Sequence, residues 1–190
     1  MFENEKFLEI LTALRQGDVI LYPTDTIWGI GCDATNETAV HRISEIKSRQ
    51  PERGYILLVD SLTMLKKYVG EIHPRVETLL AYHSRPLTII YDESSGLASN
   101  VLAPDGSVGI RITQDPFCRE LIKQLGKPIV STSANQSGQP FPSHYGEVSS
   151  DILEKVDLVV KYKQDNKEHG EPSVIARFNP DQEELDFLRE

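Results

Sequence analysis

Val19-Ile20-Leu21-Tyr22-Pro23-Thr24-Asp25-Thr26-Ile27-Trp28-Gly29-Ile30-Gly31 opens on a short apolar run closed by proline and then turns polar. Such a run suits a buried strand better than a helix. Beyond Pro23 come two hydroxyls, a carboxylate and two glycines, and the end of a buried strand opening into a polar loop is where α/β sheets place ligands. The alternative is a turn in which Thr24, Asp25 and Thr26 only satisfy nearby backbone groups. The run from Gly29 to Ala34 also spells the letters of a dinucleotide fingerprint, but its glycines do not directly follow the strand and the strand-turn-helix context is displaced.

Working outward, Phe7, Leu8, Ile10, Leu11 and Leu14 recur at helical spacing before Gly17 and predict an N-terminal amphipathic helix. After the cap pair Thr35-Asn36, Ala39, Val40, Ile43 and Ile46 repeat the helical interval, and Pro51 ends it. Strands are expected at 56–59, 87–90, 108–112, 128–130, 158–160, 173–178 and 185–188, and helices at 61–68, 74–82, 116–125 and 145–155. Helices and buried strands interleave throughout. The class is therefore α/β, with a mixed sheet, because several strand pairs lack room for a crossover helix. The polar segment 163–171 reads either as a solvated loop or as a lid.

At 190 residues one domain, 1–190, is the expectation. A hydrophobic fraction of 39% with 26% charged residues is that of an ordinary soluble chain, and no stretch approaches the ~20 apolar residues of a membrane span. The N-terminus opens with acids and shows no secretory pattern, so a cytoplasmic location is expected. Cys32 and Cys118 stand far apart with no second ligand at metal spacing, and read as buried free thiols. A net charge of −9 argues against a general nucleic-acid binder, so an anionic ligand would need a local basic site.

Three places could hold an anion. Lys47 and Arg49, two apart, would diverge on a continuing helix, but Pro51 stops the helix and lets both converge on one anion. Complementing the helix dipole is the other reading, an effect of about 0.3–1 kcal/mol. Ser131-Thr132-Ser133-Ala134-Asn135, expected to follow a strand as a turn, is rich in donors suited to phosphate oxygens or to capping its own backbone. Arg111, on an apolar strand, needs an anionic partner, whether a ligand or a structural carboxylate. No Ser-His-Asp order, nucleophile elbow, HExxH pair or Walker loop is present. What the chain offers is equipment for positioning polyanions in phosphoryl or nucleotidyl transfer.

In order along the chain, LYPTDTIWGIGCDATNETAV (21–40), HRISEIKSRQ (41–50), RPLTII (85–90), GSVGIRI (106–112), KPIVSTSANQSGQP (127–140) and GEPSVIARF (170–178) together resemble the YrdC/TsaC family of threonylcarbamoyl-AMP synthases. The resemblance implies a twisted α/β domain enclosing a basic cavity lined by the Lys-x-Arg and Ser-x-Asn motifs, hence by Lys47, Arg49, Ser133 and Asn135. It further implies threonine binding by Thr24, Thr26 and Arg49, and nucleotide contacts from Lys47, Arg111, Ser131, Ser133, Asn135 and Ser173.

The implied reaction joins L-threonine, bicarbonate-derived CO2 and ATP, with Mg2+, into threonylcarbamoyl-AMP and pyrophosphate for modification of tRNA. A functional link to the tRNA threonylcarbamoyl transferase complex, and contact with tRNA or double-stranded RNA, are implied as well, with no protein side chain as metal ligand. Many relatives have a Lys-Pro pair where this chain has Arg53-Gly54, so Arg53 stands in for that lysine's charge with a different reach. The short chain fits a stand-alone synthase. Its rivals are a non-catalytic RNA-binding module of the same fold and a sugar-phosphate synthase of the butanone-phosphate type.

Overall fold

The structure, a computed structural model, describes residues 4–48, 54–179 and 182–189. Its elements run α1 (Asn4–Gln16), β1 (Ile20–Tyr22), β2 (Gly29–Gly31), α2 (Glu37–Lys47), β3 (Ile56–Val59), α3 (Leu62–Val69), α4 (Pro74–Tyr82), β4 (Leu87–Tyr91), β5 (Val108–Ile112), α5 (Pro116–Leu125), β6 (Ile129–Ser133), α6 (Ser150–Lys155), β7 (Leu158–Val159), β8 (Val174–Asn179) and β9 (Glu184–Arg189). The nine strands form one mixed sheet in the order β7-β1-β2-β6-β3-β5-β4-β8-β9. The pairs β1/β7, β3/β5 and β4/β8 are parallel and the rest antiparallel.

Local chemistry sets the helix ends. Asn36 accepts the Ala39 N–H at the start of α2, Ser61 that of Met64 in α3, and Asp115 that of Cys118 in α5, each satisfying a donor the first turn cannot. Gly126 takes the left-handed conformation that closes α5.

The sheet's two faces part by alternation. Leu57, Ile89, Ile110, Val130 and Ala176 are buried on one of them. There α3 and α5 pack on β3, and α1 meets α5, with Phe7 edge-on to Phe117 at 6.0 Å. The other face carries the intervening residues of the same strands, and it positions the site.

Three expectations need correction. Gly29–Gly31 is strand β2, antiparallel to β1 and β6, rather than the loop it reads as. Glycine suits the place, because a Cβ on Gly31 would overlap the Val130 carbonyl and the Tyr22 ring. Ser131, Thr132 and Ser133 extend β6 instead of forming a turn, since β3 and β2 pair with them on either side. The expected helix at 145–155 breaks into a 3₁₀ turn at Tyr145–Glu147 and the short α6.

Candidate active site

Ile56 of β3, Thr88 and Ile90 of β4, Gly109 and Arg111 of β5, Ser131 and Ser133 of β6, and Ile175 of β8 all line one cavity of about 780 Å³. Within each strand these residues stand two apart, so they belong to one face. The register sets them side by side: Ile56 pairs with Gly109 and with Ser131, and Thr88 with Arg111 and with Ile175. Lys47, Asn135, Thr26, Ser173 and Arg189 add to the polar lining. Lys47, Arg111 and Arg189 give it positive charge, and no carboxylate, histidine or cysteine lines it among the described residues.

Arg111 is nearly inaccessible and held on two sides. Its Nη2 lies 3.2 Å from Asp25 Oδ1, and its Nη1 donates to Thr26 Oγ1 at 3.1 Å. Thr24 spends its own proton on the Ile27 carbonyl at 2.8 Å, so Thr26 must donate in the 2.8 Å contact between the two hydroxyls. A directed chain therefore runs from Arg111 through Thr26 and Thr24 to the backbone. Arg111 Nε is a buried donor with no partner, which is unusual unless a ligand completes it.

Lys47 closes α2, and Ser48 follows in the left-handed conformation at φ 49°, so the helix stops at the point the Lys-x-Arg geometry requires. Pro51 lies outside the described residues. Buried Lys47 donates through Nζ to the carbonyls of Ser133 and, at 2.7 Å, Asn135, bracing the end of β6. Asn135 Nδ2 donates to the carbonyls of Gln136 at 3.1 Å and Gln139 at 2.6 Å, while its buried Oδ1 has no partner. Arg49 and Arg53 lie outside the described residues.

Ser173 is buried, shares a 2.8 Å contact with Thr88 Oγ1, and accepts Arg189 Nε and Nη2 on its carbonyl at 2.9 and 2.7 Å. Partial desolvation, and then the neighbouring charge of Arg111, lowers the Arg189 guanidinium from its ordinary value, although the residue keeps an exposed surface. An anion placed beside Arg189 would relieve that cost.

The family model described as "Telomere recombination", that of Sua5, YciO and YrdC, matches residues 12–190. The chain belongs to the Sua5/YciO/YrdC family. It is 37% identical over 189 residues to a threonylcarbamoyl-AMP synthase of Vibrio cholerae, covering 98% of this chain and 97% of that one. Sua5 of P. abyssi complexed with L-threonine superposes with a TM-score of 0.79 at 26% identity over 93% of this chain, which spans about half (52%) of the Sua5 chain. E. coli YciO shares the fold at a TM-score of 0.84 and 22% identity, covering 99% of this chain and 90% of that one.

Set against the family motifs, the cavity brings together Lys47, Thr26, Arg111, Ser131, Ser133, Asn135 and Ser173. Thr24 lines a neighbouring cavity of about 480 Å³ with Asp25, Arg85, Lys163 and His169. Sequence reasoning missed Arg189, whose only signal is a cation at the end of a predicted strand, and Asp25 as the partner of Arg111. Segment 163–171 is irregular and tied at both ends: Lys163 to Asp115 at 2.7 Å, and Gly170 N–H to the Ser143 carbonyl at 3.2 Å. Among the described residues no helix is long and apolar enough to cross a membrane.

Proposed function

We propose that this chain is a threonylcarbamoyl-AMP synthase that carries out its reaction in the cavity over the β3-β5-β4 face. Threonine's amine adds to bicarbonate-derived CO2, forming the N–C bond of a carbamate and losing a proton. A carbamate oxygen then attacks the α-phosphorus of ATP, the bond to the bridging oxygen breaks, and pyrophosphate leaves with its electron pair.

The observation that carries this reading is a cavity with three cations and no carboxylate among its described lining. Among the described residues its lining offers cations, hydroxyls and amides, which contribute charge and position. Lys47 and Arg111 neutralise the carbamate and the α-phosphate, and Arg189 the polyphosphate. Ser131, Ser133, Asn135 and Ser173 orient the phosphate chain. Thr26 and Arg49 take threonine, with Thr24 fixing Thr26 from behind. Holding the labile carbamate beside ATP on a half-enclosed sheet face limits its loss to water.

Mg2+ would come with ATP as the nucleotide complex and would offset phosphate charge beside these cations. The adenylate product then serves threonylcarbamoyl transfer to tRNA in the cytoplasm, by way of the tRNA threonylcarbamoyl transferase complex. Incubation with ATP, threonine and isotopically labelled bicarbonate tests the reading. The label is expected in an adenylate by mass spectrometry, and an unlabelled adenylate or none would reject it.

A further inference from the structure

Phe141 is the one exposed aromatic ring lining the cavity among the described residues, at 44% accessibility, whereas Tyr55, the other aromatic there, is buried. A single exposed phenylalanine is ordinary on a protein surface. The backbone that carries this one is constrained. Phe141 stands between Pro140 and Pro142, so its own backbone is confined to extended conformations and that of its predecessor is fixed.

The segment leading to it is fastened to the catalytic framework. Ser137 N–H donates to the Lys47 carbonyl at 3.1 Å, Gln136 Nε2 to the Ile46 carbonyl at 2.8 Å, and Asn135 Nδ2 to the Gln139 carbonyl at 2.6 Å. A solvent-facing ring on a constrained backbone thus stands at the rim of a cavity whose buried cations, Lys47 and Arg111, hold its deeper part. A ligand with an anionic chain at one end and a flat π surface at the other matches that division.

We propose that Phe141 is the platform on which the adenine of ATP stacks, a proposal that rests on the nucleotide reading above. A base on an exposed ring gains stacking and burial without hydrogen bonds, so Phe141 contributes affinity while the motif residues align the phosphates.

Calorimetric titration of wild type, Phe141→Ala and Phe141→Trp with ATP and with inorganic tripolyphosphate separates the outcomes. Phe141→Ala is expected to weaken ATP about tenfold or more while leaving tripolyphosphate within about twofold, and Phe141→Trp to keep ATP binding. Equal ATP binding by wild type and Phe141→Ala would overturn the platform and leave the synthase reading standing. Equal losses for ATP and tripolyphosphate would overturn it too, since the residue would then act on the phosphate site. Wild type that binds tripolyphosphate but not ATP would overturn the nucleotide reading itself.

Discussion

Arg111 faces the cavity with its guanidinium 3.2 Å from the Asp25 carboxylate, a pair in which both side chains are at least nine-tenths buried. Asp25 also accepts the Gln114 N–H at 2.8 Å, so it is fixed before it orients the arginine. Removing one member of a buried pair strands the other's charge, at about 3–5 kcal/mol. Asp25→Ala is therefore expected to lower stability by that order in chemical denaturation. Asp25→Asn should cost less and chiefly lower kcat, because the arginine keeps a polar neighbour and loses its fixed direction.

Lys47 joins the two motifs physically, since its ammonium holds the carbonyls of Ser133 and Asn135. Lys47→Met should cut pyrophosphate release by about a hundredfold or more, the scale of losing a preorganised charge in an active site. It should also cost about 1–3 kcal/mol of stability, because two buried carbonyls lose a charged donor. A variant of full activity would remove Lys47 from the machinery.

Segment 163–171 also packs closely against the loop that carries Thr24 and Thr26. A Cβ on Gly170 would overlap the Thr26 carbonyl, and backbone cannot yield there as a flexible side chain could. Gly170→Ala is expected to push the segment off the loop, seen as faster limited proteolysis at 163–171, and to raise the KM for threonine several-fold.

Both thiols are buried and free, and burial first, then the nearby carboxylates Asp33 for Cys32 and Asp115 for Cys118, raises them above the ordinary thiol range. The unfolded chain releases these protons from roughly pH 8.5 while the folded chain keeps them. Stability should then fall as pH rises beyond that point, by about 1.4 kcal/mol per unit per thiol. Below it the two states bind the same number of these protons, and no slope arises from them. A thiol-reactive dye at pH 8 should label neither cysteine in the native protein and both after denaturation.

Much of this was legible in the residues. Pro74 and Pro116 open their helices, and Gly126 closes the second of these, as expected from one fixed φ and one left-handed cap. Strand β2 was hidden because three residues with two glycines carry no apolar alternation, and it exists through its neighbours on either side. The Ser-Thr-Ser run read as a turn for the same reason: local polarity favours a turn, while pairing with β2 and β3 decides otherwise. Lys47, Ser133 and Asn135 stand out in the sequence through their motifs. That Arg189 joins Ser173 and lies near Arg111 depends on β9 closing the sheet edge, a long-range fact no window of sequence contains.

The proposed chemistry turns threonine, bicarbonate and ATP into an adenylate in a cationic cavity. Pyrophosphate release by the purified protein with MgATP, omitting threonine or bicarbonate in turn, tests it most directly. Release that needs both is the expected result, and release that persists without either, or none from folded protein that binds ATP, would contradict it.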